Sequence, residues 1–116
     1  TQALLNIINN AKDALEESNN ENKYLFISTK STDENYIITI KDNAGGIDES
    51  IINKIYEPYF TTKFKSQGTG IGLYMTRTII INHMNGQINT RNETFVYNET
   101  EYKGAVFEIV LGKKSD

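Results

Sequence analysis

Between Gln2 and about Glu17 the apolar residues Leu4, Ile8, Ala11 and Leu15 recur at intervals of three and four, with Leu5, Ile7 and Ala14 widening the stripe. This period predicts an amphipathic helix. Residues 18–22 form a polar break, after which the period shortens to two. Residues 24–29 and 36–41 read as strands joined across Ser31-Thr32-Asp33-Glu34-Asn35, most simply as a hairpin. Asp48-Glu49-Ser50-Ile51 puts acidic residues in the first turn of a short helix, which Pro58, the only proline, closes. Residues 61–68 lack apolar periodicity and are expected to form a mobile loop. A second long helix is expected from residue 70 to about 84, stopped by Asn85-Gly86. Two closing strands follow at about 87–94 and 104–111, with Ala105, Phe107, Ile109 and Leu111 on one face. This order predicts an α+β two-layer sandwich, one sheet covered by helices.

The second strand places Asp42 in phase with Tyr36, Ile38 and Ile40. A carboxylate is therefore aimed where the apolar side chains point. A buried charge is costly unless something donates hydrogen bonds to it, and Gly45-Gly46 just beyond let a backbone or a ligand approach closely. Asp-Asn followed by Gly-Gly is also ordinary turn chemistry, but a plain turn does not account for the inward phase. On the first helix Asn6 and Asn10 lie four apart, and Asp13 and Glu17 continue that polar side. Amide oxygens at this spacing suit a hard cation and phosphate oxygens, the plainer alternative being a solvated helix face. Gly68-Thr69-Gly70-Ile71-Gly72-Leu73 enters the second helix with uncovered backbone N–H groups at the positive end of the helix dipole. That is a place for phosphates, or else a hinge. It is neither a Walker A motif nor a Rossmann fingerprint, since no Lys-Ser/Thr pair follows and the spacing differs.

A chain of 116 residues fits a single domain with one core. Its net charge of -3 offers no basic field to nucleic acid, so an anionic ligand has to be held by local groups. There are no cysteines for disulfides, thiol catalysis or cysteine-rich zinc sites, which is compatible with a reducing compartment. The single His83 cannot build a multi-histidine site. No apolar run is long enough for a membrane span and no signal-peptide pattern opens the chain. The start at Thr1, without methionine, looks like that of a piece cut from a longer protein.

Taken together, the asparagine-bearing helix, the Asp-x-x-Gly-Gly at a strand end and the Gly-x-Gly-x-Gly helix entry resemble the catalytic, ATP-binding domain of bacterial sensor histidine kinases. Asn6 to Ala11 looks like that family's N box and Asp42 to Gly46 like its first glycine box. Tyr56 to Lys63 looks like the F box, and Gly68 to Leu73 like the second glycine box. The resemblance spans nearly the whole chain, 1–116, as one domain. It implies the Bergerat ATP-binding fold, with a mixed, mostly antiparallel sheet whose usual first strand is missing here. Asp42 would accept a hydrogen bond from the adenine amine, with Ala44, Gly46 and Ile47 around the base. Asn10 would ligate Mg²⁺ beside Asn6. Gly68, Thr69, Gly70, Ile71, Gly72 and Leu73 would meet the nucleotide at the helix entry. Residues 56–67 would be the ATP lid, anchored by Phe60, with Lys63 or Lys65 reaching the phosphates.

The sequence departs from the family pattern in two further places. Ala44 replaces a frequent glycine, which is tolerable if the backbone there is not left-handed. Asp13 stands where many members place a phosphate-holding lysine, a task that passes to Lys12 or to the lid lysines. Gyrase-type and mismatch-repair relatives carry a hydrolytic glutamate four residues before the metal-binding asparagine; here that position is Asn6, which argues for transfer to a protein side chain over hydrolysis. His83 reads as an ordinary helix-end residue. The resemblance implies a cytoplasmic, monomeric fragment of a homodimeric parent. Its partners would be the dimerisation domain bearing the acceptor histidine and a response regulator, without nucleic acid or direct membrane contact. The alternatives are an anti-sigma-factor type serine kinase and a non-catalytic nucleotide-binding module of the same fold.

Overall fold

The computed structural model describes residues 2–57 and 72–113. Helix α1 (Gln2–Glu17) has the predicted bounds, but its buried stripe is Ala3, Ile7, Ala11 and Leu15. Leu4 and Ile8 are only half-buried against the core, Ala14 is exposed, and Leu5 is 53% exposed. The stripe is thus centred about one residue from the expected one. The helix packs against both the second helix and the sheet, where the small side chains of Ala3 and Ala11 permit close approach. Ser18 closes it, its N–H and hydroxyl both donating to the Leu15 carbonyl.

Strands β1 (Leu25–Ser31), β2 (Asn35–Asp42), β3 (Gly86–Tyr97) and β4 (Thr100–Gly112) form one sheet in the order β1-β2-β4-β3. Every described pairing is antiparallel. Thr32 holds the first hairpin turn, its N–H and hydroxyl donating to the Asn35 carbonyl. Ile40 faces Phe107, Ile38 faces Ile109, and Ile88 faces Ile109 from the other side. These residues, with Ile7 and Ile80 from the helices, make the core between sheet and helices.

The closing strands are longer than the alternation predicted, because β3 and β4 run on into a hairpin joined by Asn98-Glu99. Both residues have positive φ, 51° and 66°, as a two-residue type I′ turn requires. Without a glycine, the turn gave no signal in the sequence. This hairpin extends past the end of β2 and leans over the face of the sheet opposite the helices. There Phe95, Tyr97 and Tyr102 meet Tyr24 and Phe26 edge-on, with ring centroids 4.8–5.8 Å apart. The Lys41 ammonium lies 4.1 Å from the centre of the Phe95 ring.

Helix α2 (Gly72–His83) buries Thr76 and Ile80. Asn85 takes the left-handed conformation that ends it, at φ 51°. Gly86 serves another need, since a Cβ there would stand 2.6 Å from the Val110 carbonyl oxygen. The predicted short helix after Asp48 is a 3-10 turn, Ile52–Lys54, preceded by a turn in which the Asp48 carboxylate accepts from the N–H and hydroxyl of Ser50. Its segment is too short to propagate an α-helix, and buried Ile55 pins it to the core. Pro58 and the expected mobile loop at 61–68 lie outside the described residues.

Candidate functional site

Asp42 is the last residue of β2 and is 3% exposed, continuing the inward phase of Ile40. Two backbone N–H groups donate to its Oδ1, that of Ala44 at 2.9 Å and that of Ala105 at 3.3 Å. Both bonds fall on one oxygen, which leaves Oδ2 to take a donor from outside. Burial pushes the Asp42 pKa above the ordinary carboxylate value, and the two N–H bonds pull the other way without cancelling it. β4 comes close enough to supply the Ala105 donor because its neighbour is Gly104. A Cβ on Gly104 would lie 1.6 Å from the Asp42 carbonyl oxygen, so no other residue fits.

Beyond Asp42 the chain turns through Gly45 and Gly46, at φ 103° and 87°. Ala44 is not among the positive-φ residues, so alanine costs nothing at that position. The Gly45 N–H donates to the Lys103 carbonyl at 2.9 Å. A Cβ on Gly46 would stand 2.8 Å from Asn92 Oδ1. Asn92 takes that space and pairs with Ile47: it accepts from the Ile47 N–H at 2.7 Å and donates to the Ile47 carbonyl at 2.6 Å.

Asn43 is fully buried and ties the other side of the turn to the segment between α1 and β1. Its Oδ1 accepts from the Tyr24 N–H at 2.8 Å, its Nδ2 donates to the Asn22 carbonyl at 2.9 Å, and its own carbonyl accepts from the Asn20 amide. Sequence reasoning treated Asn43 as turn chemistry and did not single out Asn92 or Gly104. The available signal was a glycine at the head of a strand, which marks close backbone approach.

Asn6 and Asn10 are half-buried along one flank of the buried stripe of α1, with Asp13 continuing that flank. Lys12, two residues and about 200° round the helix from Asn10, cannot serve the same side. Its ammonium pairs instead with Glu16 at 3.7 Å on the exposed surface. Leu73, in the first turn of α2, packs on the core. Tyr56 shares a hydrogen bond with the Thr90 hydroxyl, and burial pushes its phenol up to about 12. Phe60, Lys63, Lys65, Gly68, Thr69, Gly70 and Ile71 lie outside the described residues, and Gly72 is the first residue of α2.

Residues 1–115 match the family of histidine kinase-, DNA gyrase B- and HSP90-like ATPases. The chain belongs to this family. Among curated members, Sporulation kinase E of Bacillus subtilis is 33% identical over 95% of the chain, and Sporulation kinase C of the same organism is 32% identical over 99%. The chain spans only 13% and 24% of those two proteins. Of solved structures, the catalytic domain of histidine kinase ThkA superposes with a TM-score of 0.71 at 28% identity, covering 97% of this chain and 67% of that one. A mycobacterial sensor histidine kinase, MprB, shares the fold with a TM-score of 0.75 at 20% identity, over 96% of this chain and 70% of that one. The antiparallel sheet under two helices is therefore that of histidine kinase catalytic domains. No described helix is long and apolar enough to cross a membrane.

Proposed function

We propose that this domain binds Mg-ATP and supplies the γ-phosphate to a histidine on the dimerisation domain of its parent sensor kinase, from which a response regulator takes it. The observation that carries the reading is Asp42. Its carboxylate is buried with one oxygen held by backbone N–H groups, which is the acceptor an adenine amine needs, in a family of ATPases. A base seated there excludes water from the carboxylate and strengthens that bond.

The described residues hold no cluster of three or more histidines or acidic groups to bind a metal. A magnesium ion would therefore arrive on the triphosphate, with the Asn10 amide oxygen completing its oxygen shell and Asn6 beside it. The ion would supply charge neutralisation. Lys63 or Lys65 would add positive charge and Phe60 would anchor the lid. The glycines at 70 and 72 would offer backbone N–H groups to the phosphates. Asn6 offers no carboxylate to activate water, which favours transfer over hydrolysis.

The first test is calorimetry of Mg-ATP binding to the 116-residue chain and to its Asp42→Ala variant. Binding that survives the substitution sinks the adenine assignment. Adding the cognate dimerisation domain and labelled ATP then tests transfer. Phosphohistidine on that domain is expected, and its absence despite tight nucleotide binding would mean a non-catalytic module.

A further inference from the structure

We propose that Asn92 of β3 is a positioning residue for base selection. Its side-chain amide sets where the Gly45-Gly46-Ile47 turn lies, and through that turn how closely a base can seat against Asp42. The inference rests on Asp42 reading the base.

A primary amide can donate and accept at once, and Asn92 does both with the backbone of a single residue, Ile47. Oδ1 accepts from the Ile47 N–H and Nδ2 donates to the Ile47 carbonyl, at 2.7 and 2.6 Å. This is the pairing a neighbouring strand would offer, made here by a side chain where no described strand runs alongside. Nδ2 also donates to Glu49 Oε1 at 2.9 Å, which orients the amide so that Oδ1 faces the N–H. An aspartate could not replace it, because its second oxygen would oppose both the Ile47 carbonyl and Glu49.

The link to Asp42 passes through one residue of β4. Asn92 is the cross-strand partner of Ala105, whose N–H donates to Asp42 Oδ1. The carboxylate and the amide thus stand on either side of Ala105, one holding the entry of the turn and the other its exit. Between them the chain has two glycines at positive φ, residues with wide conformational freedom, and among the described residues one further backbone bond, from the Gly45 N–H to the Lys103 carbonyl, ties that stretch to β4. A Cβ on Gly46 would meet Asn92 Oδ1 at 2.8 Å, so the turn can lie this close to the amide because residue 46 is glycine.

The test compares Mg-ATP with Mg-GTP, whose base presents a carbonyl where adenine presents its amine. Relative to the parent chain, Asn92→Ala should weaken Mg-ATP about tenfold, the cost of roughly one hydrogen bond's worth of misplacement, and leave Mg-GTP nearly unchanged. The ATP/GTP preference then falls about tenfold. Asn92→Ser, which keeps at most part of the pairing, should fall between. Equal weakening of both nucleotides, or none, overturns the proposal, since a loss of folded protein moves both alike. If Asn92→Ala melts below the assay temperature, Asn92→Ser carries the same comparison, and an unchanged preference there defeats the idea. A parent chain that shows no preference for ATP, or an Asp42→Ala variant that keeps it, defeats the adenine reading as well. A preference lost in Asp42→Ala but kept in the Asn92 variants defeats the role of Asn92 alone.

Discussion

Asp42 is a buried carboxylate that works against the stability of the fold once it is charged. Its pKa is raised in the folded chain, so the protonated form is the one that folding favours. The stability this group contributes is fully present below its unfolded pKa, near 3.8, and is lost as pH rises through the higher folded value. At neutral pH the buried charge is therefore a cost. Asp42→Asn keeps an oxygen for the Ala44 and Ala105 N–H groups while removing that charge, so its melting temperature at pH 7 should equal or exceed the parent's, with Mg-ATP binding lost in calorimetry. For the parent, affinity should weaken on acidification, beginning at a higher pH than an ordinary carboxylate would give, because protonation removes the acceptor. At this scale the sequence was partly legible. The phase of Ile38 and Ile40 carried the inward direction of Asp42, although Ile37 interrupts the alternation and Tyr36, in the same phase, is 51% exposed. Asn43 and Asn92 were not legible, because their partners lie about twenty and forty-five residues away and an asparagine in a turn or strand looks the same with or without them.

The elements were read with uneven success for a related reason. α1 declares its length through period, yet its centre was misplaced because Ala3 is a weak hydrophobic signal beside Leu4 and Leu5, and only packing against two neighbours selects it. The β3–β4 hairpin was underestimated because Asn98-Glu99 lacks the glycine that usually announces a type I′ turn. Glu99 at φ 66° carries a left-handed strain that glycine would avoid. Glu99→Gly should stabilise the chain by about 0.5 kcal/mol, after the extra freedom of glycine in the unfolded chain is offset, and a thermal melt should show a rise of about 2 °C. Gly104 is the opposite case. Gly104→Ala must push β4 away from Asp42, and should cost about 3 kcal/mol or more in denaturant unfolding while removing the Ala105 bond to the carboxylate. Most of the second glycine box and of the lid motif lies within residues 58–71, outside the described residues.

In the whole molecule, the turn after Asp42 is tied to residues far along the chain: Gly45 to Lys103, Ile47 to Asn92, Asp42 to Ala105. None of these bonds can form until β4 has docked on β2, so the site is completed only when the sheet is. Local hairpins close early because their loops are short, whereas this closure spans about sixty residues. A nucleotide that needs the finished turn therefore binds no partly assembled form, and its free energy acts on the global opening reaction. At a hundredfold excess over its dissociation constant, that is about 2.7 kcal/mol. Amide hydrogens deep in β2 and β4, which exchange only when the whole sheet opens, should then slow by about a hundredfold in saturating Mg-ATP. Those of the exposed last turn of α1, which can open locally, should not change.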